Sequence, residues 1–335
     1  MASKDIIVIG ASAGGVDALQ RLCAALPAGL PASLFVAQHL SPSAPSVLPQ
    51  LLDRVRPLRA LSPVDGQAIE PGVIYVASPD HHLLIRPDRI LMRRGPYENR
   101  TRPAANALFR SAAAHYGGRV IGVVLTGLLD DGTDGLIAIK AAGGLSVTQD
   151  PDDAEWPSMP RNALTRDHVD HVVPLAALAA LLTRLVTERA GTTVPLPEDY
   201  LLEDRIAAQE FAVMEMEIET PGHPSPISCP DCGGVLNHID SDGEIRFRCQ
   251  IGHAFTPLGL VEAQSAELER ALGIAVRTHR DRIRLFGQMR VSAQQRGLAY
   301  AEQKWVAASR EAEDLIAVLE NAIATLHRPV PNGEA

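Results

Sequence analysis

An apolar run, Ile6-Ile7-Val8-Ile9, leads straight into Gly10-Ala11-Ser12-Ala13-Gly14, and a helical pattern follows from Val16. A short apolar run closed by glycine fits a buried strand. Strand, glycine-rich turn and helix in immediate succession commit this end of the chain to an α/β arrangement. The turn holds the Ser12 hydroxyl clear of its neighbours, because flanking glycines permit strained backbone angles and close approach by a ligand. The helix that follows aims free N–H groups at the same spot, where negative charge is favoured. Two readings of the turn are open on these residues: an exposed nucleophilic serine, or the phosphate loop of a dinucleotide-binding unit.

The pattern continues to about residue 187. Ser33–Gln38, Val73–Ala77 and Val120–Leu125 are further apolar runs, and Val16–Leu26, Ser46–Val55 and Pro103–His115 carry helical spacing. Such alternation predicts a doubly wound, mostly parallel sheet with helices on both faces, a three-layer α/β fold. Ligands of such folds bind beyond the C-terminal ends of the strands. Between 60 and 95 the runs shorten and turn signals appear, which suggests a β-hairpin excursion.

At 335 residues the chain has room for one large domain and a smaller one. A net charge of -9 and a pI near 5.7 argue against a general nucleic-acid binder. Met1-Ala2-Ser3-Lys4-Asp5 does not read as a signal peptide, and Leu175–Leu182 is too short to span a bilayer. Four cysteines, three of them between 229 and 249, do not suggest a disulfide framework. The expected location is the cytoplasm, without membrane insertion.

A serine nucleophile needs a base, and the base needs an orienting carboxylate. His39 ends the second predicted strand in Val36-Ala37-Gln38-His39, and strand two of a doubly wound sheet lies beside strand one. Val123-Val124-Leu125 runs into Thr126-Gly127-Leu128-Leu129-Asp130-Asp131-Gly132, which brings carboxylates and a glycine turn to the same edge. A dinucleotide site would want an acid near the end of strand two to hold a ribose. Gln38-His39 stands there instead, which favours the hydrolase.

These residues resemble the CheB family of protein-glutamate methylesterases. The likeness runs through Ile9–Gly15, Gln38-His39-Leu40-Ser41-Pro42, Tyr75–His82, Asn99-Arg100-Thr101-Arg102-Pro103, Leu125–Gly132, Gly144–Asp150 and Met159-Pro160-Arg161-Asn162-Ala163, in order, across residues 5 to 187. The resemblance implies Ser12 as nucleophile, His39 as general base and acid, and Asp131 as orienting carboxylate. It also implies an oxyanion hole of main-chain N–H groups at Leu128 and Ala13. The reaction implied is hydrolysis of glutamate γ-methyl esters on a chemoreceptor or another methylated signalling protein, with glutamine deamidation by the same route and no catalytic cofactor. A signalling scaffold that keeps the fold without the activity is the alternative. Residue 13 is Ala where many members have Thr, and residue 128 is Leu where many have Met. Arg102 and Arg161 are candidates for docking an acidic substrate helix, as is Arg100, for which a surface salt bridge is the competing role. On this reading no phosphorylatable receiver domain is expected ahead of the first catalytic strand. The enzyme is then expected to be unregulated, regulated in trans by a methyltransferase or another partner, or gated by its own C-terminal half.

That half contains Cys229-Pro230-Asp231-Cys232 and Cys249-Gln250-Ile251-Gly252-His253, with sixteen residues between the two groups. Three thiolates and an imidazole at this spacing suit a closed, structural zinc site on a ribbon-like hairpin. From Leu258 to Leu326 the chain has helical composition, read as an antiparallel pair turning near Gly297. Its apolar seam is expected to include Leu258, Leu268, Leu272, Ile283, Leu285 and Phe286 against Leu315, Val318, Leu319 and Leu326. The expected division is a catalytic domain over 1–187, a linker with a short helix over 188–226, the zinc-ribbon-like module over 227–257 and the helical hairpin over 258–327. The hairpin is expected to dock a partner or a second copy of the chain.

Overall fold

Strands of the first half alternate with helices in chain order: β1 (Ile6–Ala11), α1 (Gly15–Ala25), β2 (Ser33–Gln38), α2 (Leu48–Val55), β3 (Arg59–Leu61), β4 (Val73–Val76), the hairpin β5 (His82–Arg86) and β6 (Arg89–Arg93), α3 (Ala105–Tyr116), β7 (Val120–Val124), α4 (Thr133–Ala141), β8 (Leu145–Gln149), α5 (Ser158–Arg166), β9 (His171–Val173) and α6 (Leu175–Leu185). The structure is a computed structural model that describes residues 3–41, 45–55, 57–166, 168–210, 220–241 and 243–326. Seven strands form one parallel sheet in the order β3-β4-β2-β1-β7-β8-β9. The period of two along each strand divides the apolar residues between two cores. Ile7, Ile9, Leu34, Val36, Ile121 and Val123 pack with α1, α2 and α6 on one face. Ile6, Val8, Phe35, Tyr75, Val120 and Val124 pack with α3, α4 and the β5–β6 hairpin on the other. Aliphatic runs buried on both sides explain why these strands lack a polar alternation.

The sheet is doubly wound about β1. The chain leaves β1 towards β2, β3 and β4, then returns past α3 to place β7 on the opposite flank of β1. The carboxyl ends of β1 and β7 therefore form the switch point at which ligands of such sheets bind. Ser12 directly follows β1, His39 directly follows β2, and the 126–132 turn follows β7. The register pairs Ala11 with Gln38, so Ser12 and His39 are the next residues on adjacent strands.

Beyond α6 the chain forms α7 (Glu198–Ala208), then β10 (His223–Ser228), β11 (Val235–Ser241), β12 (Glu244–Cys249) and β13 (Ala254–Phe255), which make a four-stranded antiparallel sheet. The chain divides into two units, residues 1–260 and 261–335. This differs from the expected linker over 188–226. Leu196 and Tyr200 join the core of the parallel sheet, and Glu203 is 1% exposed. The difference has an electrostatic cause. Arg248 on β12 is fully buried between Glu203 and Glu98, at 3.0 and 3.2 Å, and Glu98 also pairs with Arg110 of α3. Arg246 pairs with Glu203 at 3.1 Å and with Asp199. Burial alone would raise the Glu98 carboxyl, but the Arg110 and Arg248 guanidiniums outweigh it and bring it down to about 2. Part of the expected short helix, residues 211–216, lies outside the described residues.

The second unit contains α8 (Pro257–Gln295) beyond residue 260, and α9 (Ala299–Leu326). Gly297, at φ +72°, supplies the left-handed residue at the turn between them. Phe286 stacks on Trp305 with ring centroids 5.7 Å apart, and Arg280 pairs with Glu320 at 2.7 Å. The seam is narrower than expected. Leu268, Leu285 and Val318 are more than half exposed, while Ala293 and Ala312 are buried. Among the described residues, no helix is long and apolar enough to cross a membrane.

Candidate active site and metal-ligating cluster

Asp131 is fixed by the start of a helix. Its Oδ2 accepts the N–H of Ala105 at 2.6 Å and its Oδ1 that of Asn106 at 3.0 Å. The residue at the N-cap of α3 is Ala104, which offers no capping side chain. The carboxylate of Asp131 fills that role from a distant turn, and the helix dipole favours its charge. The same oxygen, Oδ2, lies 2.7 Å from His39 Nε2. A carboxylate already accepting two N–H groups takes a third from the ring, so Nε2 carries the proton and Nδ1 is left as the acceptor. This orientation of the ring is the reverse of the template in which Nδ1 faces the acid.

Ser12 is held through its backbone. Its N–H donates to Thr126 O at 3.1 Å, and its carbonyl accepts from Gly15 N–H at 2.9 Å and from Gln38 Nε2 at 2.8 Å. Gln38 Nε2 also donates to His39 O at 3.1 Å, and His39 N–H donates to Ala11 O at 3.1 Å. The amide of Gln38 thus ties the backbones of the serine and the histidine together. Gly127 packs against the serine from β7: a Cβ on Gly127 would lie 2.8 Å from Ser12 Cβ and would collide with Met159 Sδ. Gly14, at φ +72°, turns the chain into α1. The structure therefore brings His39 and Asp131 into contact and sets Ser12 beside them on the adjoining strand end. Among the described residues, the Ser12 hydroxyl makes no hydrogen bond.

The N–H groups of Ser12 and Gly127 are taken, the latter by Trp156 O at 2.9 Å. Those of Ala13 and Leu128 have no acceptor among the described residues. Leu128 is half exposed. Both donors named for an oxyanion hole are accordingly available on the loops that flank Ser12.

The two arginines named for docking separate. Arg102 is a correction: its guanidinium pairs with Asp80, donates to Gly95 O at 2.5 Å and lies 4.2 Å over the Tyr97 ring. It is a structural clasp at the base of the hairpin and has no free face for a substrate. Arg161 is exposed on α5 and has no side-chain partner among the described residues. Arg100 lies 3.3 Å from Asp231, a surface ion pair.

Several site residues escaped the sequence reading. Asn106 Oδ1 accepts the N–H groups of Gly132 and Gly135, both at 2.9 Å, and so caps α4. Asn162 Nδ2 donates to Leu129 O at 2.7 Å. Gln149 Oε1 accepts Thr126 N–H at 3.1 Å. Asn162 sits inside the Met159–Ala163 match and Gln149 inside the Gly144–Asp150 match, so both residues, though not their partners, had a local signal. Asn106 and Gln149 act across more than twenty residues of sequence, which no local pattern reports.

Cys229, Cys232, Cys249 and His253 present four ligand atoms within 4.8 Å of one another. Cys232 Sγ and Cys249 Sγ are 3.7 Å apart, and His253 Nδ1 lies 3.7 Å from Cys229 Sγ and 3.6 Å from Cys249 Sγ. Zinc–sulfur and zinc–nitrogen bonds at tetrahedral angles give edges of roughly 3.8 and 3.6 Å. The cluster fits that polyhedron. Each half is a tight turn: Gly233 N–H reaches Cys229 O, and Gly252 N–H reaches Cys249 O, both at 2.8 Å.

Residues 7–182 match the family model described as CheB methylesterase. A Methanosarcina mazei protein named protein-glutamate methylesterase/protein-glutamine glutaminase 2 is 35% identical over 191 residues, 55% of this chain and 52% of that protein. A Leptospira interrogans protein is 36% identical over 182 residues, 54% of this chain and 94% of its own length. The chain thus spans about half of the archaeal relative. The crystal structure of the Thermotoga maritima CheB methylesterase catalytic domain superimposes with a TM-score of 0.53 and 31% identity, over 55% of this chain and all of that domain.

Proposed function

The chain belongs to the CheB methylesterase family, and on that premise we propose that it hydrolyses glutamate γ-methyl esters on a chemoreceptor or another methylated signalling protein. The observation that carries this reading is the 2.7 Å bond between His39 Nε2 and Asp131, which leaves Nδ1 as the acceptor on the strand end next to that of Ser12. Ser12 Oγ attacks the γ-carbonyl carbon as Nδ1 takes its proton. The oxyanion is held by the N–H groups of Ala13 and Leu128, each such donor typically contributing ~2.7–4 kcal/mol. Collapse expels methanol, which takes the proton from His39. Water, deprotonated by the same nitrogen, then attacks the acyl-serine and releases glutamate and free Ser12. A glutamine side chain follows the same route with ammonia leaving. The Ser12–His39 hydrogen bond forms in the substrate complex, as such contacts commonly tighten there.

Cys229, Cys232, Cys249 and His253 are proposed to hold a structural zinc, which would pin the two knuckle turns and takes no part in the reaction. Metal analysis of the purified chain, with and without Cys232→Ser, tests this. Self-association of the helical pair belongs to the same reading, supported by the exposure of Leu268, Leu285 and Val318. The oligomeric state of the full chain against residues 1–260 tests it. The activity itself is tested by methanol release from a methylated receptor fragment, which wild type should give and Ser12→Ala should not. Release that survives Ser12→Ala would refute the assignment.

A further inference from the structure

The turn that carries Asp131 is held from two sides. On one side Leu129 O accepts Asn162 Nδ2 at 2.7 Å and Ser158 Oγ at 3.3 Å, both from α5. Leu129 is in a left-handed conformation at φ +61° and Gly132 at φ +99°. A non-glycine residue there is strained and needs its surroundings to hold it. The other side is held by Asp130. This carboxylate is 2% exposed, and burial pushes it up to about 6 against the pull of the Thr256 hydroxyl and Arg166. Thr256 Oγ1 donates to Asp130 Oδ1 at 2.9 Å, while Arg166 Nη1 stands 3.7 Å away.

Thr256 is itself immobilised. Its N–H donates to Asn99 Oδ1 at 2.9 Å, and its Oγ1 accepts Gly259 N–H at 2.9 Å, capping α8. With its lone pairs serving the cap, the single hydroxyl proton has Asp130 Oδ1 at 2.9 Å and Asn99 Oδ1 at 3.4 Å within reach, and the nearer, charged acceptor takes it. The strand just before it is zipped to the 97–99 loop, with Ala254 N–H on Tyr97 O at 3.1 Å and Asn99 N–H on Ala254 O at 2.8 Å. Thr256 lies well outside the 7–182 match and three residues past His253. A contact from beyond the esterase domain thus ends one residue from the acid that orients the base.

We infer that Thr256 is a positioning residue for hydrolysis: by holding Asp130 it fixes the turn that sets Asp131 against His39. This rests on the catalytic assignment above. Loss of a buried charge-assisted hydrogen bond of this kind is expected to change the rate about tenfold or more if the acid is displaced.

The test uses the full chain with Thr256→Val, Thr256→Ser and Asp130→Ala. Thr256→Val removes the proton at nearly constant volume and should lower kcat about tenfold with KM within about twofold. It should also speed amide hydrogen exchange over residues 127–135, read without substrate. Thr256→Ser keeps the hydroxyl and should restore both. Asp130→Ala should reproduce the loss and should not add to it in the double variant. A folded Thr256→Val with wild-type kcat and exchange would overturn the inference. Should that variant not fold, Asp130→Ala with wild-type kcat and exchange would overturn it equally. If wild type shows no Ser12-dependent hydrolysis, the catalytic assignment fails, and the exchange measurement alone decides whether Thr256 holds the turn.

Discussion

Asp131 and Asn106 cap each other's helices. The carboxylate of Asp131, just before α4, accepts the first N–H groups of α3, and the amide oxygen of Asn106, in the first turn of α3, accepts those of Gly132 and Gly135 at the start of α4. Two helix starts are locked head to head, and His39 hangs from one of the shared oxygens. The proposed catalytic acid is therefore built into the packing of two helices.

That relationship sets the outcome of Asp131→Asn. With the NH2 group at the Oδ2 position, the amide faces both His39 Nε2 and the Ala105 N–H, and its oxygen keeps only the Asn106 N–H. The ring must then accept there and carry its proton on Nδ1, which removes the base from Ser12. We predict a fall in kcat of roughly 10³–10⁴ with substrate affinity little changed. Steady-state hydrolysis of a methylated receptor fragment checks it. Loss of the ionic cap should cost about 1 kcal/mol in a denaturant melt.

Gly127→Ala tests the contact between the β7 turn and the nucleophile. The new methyl would meet Met159 Sδ and stand 2.8 Å from Ser12 Cβ. Overpacking of this kind typically costs ~1–3 kcal/mol. The expected result is a folded protein with a melting point a few degrees lower and at least a hundredfold less activity, since misplacement of a reacting group by about 1 Å can cost that much. Covalent labelling of Ser12 by a fluorophosphonate should slow in parallel.

Arg102 and Arg161 should behave oppositely. Arg102→Ala breaks the clasp to Asp80, Gly95 and the Tyr97 ring, and we expect about 1–3 kcal/mol less stability. Arg161→Ala should leave the melt unchanged and raise KM severalfold for an acidic substrate helix. Thermal denaturation and substrate titration of the two variants separate these roles.

Much of the candidate site is legible in the sequence, because the proposed triad lies where the strands end. Ser12, His39 and Asp131 each follow an apolar run, and a doubly wound sheet gathers strand ends at one rim. The cluster of Cys229, Cys232, Cys249 and His253, proposed to hold a metal, was readable for a similar reason, since a knuckle is a local turn with fixed spacing. What escaped was pairing across long stretches of chain. Nothing near Arg248 announces Glu98, and nothing near Thr256 announces Asp130. The 188–226 stretch looked like a linker because its prolines and polar residues carry no periodicity. Its helix α7 is held instead by buried charges that find partners on β12.

Those buried charges make stability depend on pH. Burial pushes the Asp134 carboxyl up to about 7, although Arg166 and Arg246 draw it down. In the unfolded chain the same group titrates near ~3.9. Between these values the folded state binds the extra proton, so this residue's contribution to stability falls as the pH rises through that window. Glu98, lowered to about 2, acts below pH 4 and in the opposite sense. Asp134→Asn cannot titrate. Its melting temperature relative to wild type should therefore move upward between pH 4.5 and 8 by up to about 6–12 °C, since a pKa difference of this size is worth ~3 kcal/mol over that window and each kcal/mol shifts a unit of this size by about 2–4 °C.

The central claim is that Ser12 becomes covalently acylated and is freed by water. Wild type mixed with a methyl-esterified receptor peptide, quenched within milliseconds and digested, should yield the peptide containing Ser12 with the glutamyl adduct attached and methanol already released. His39→Ala should yield neither adduct nor methanol. Methanol release at the wild-type rate by Ser12→Ala, or an adduct on any other residue, would contradict the account.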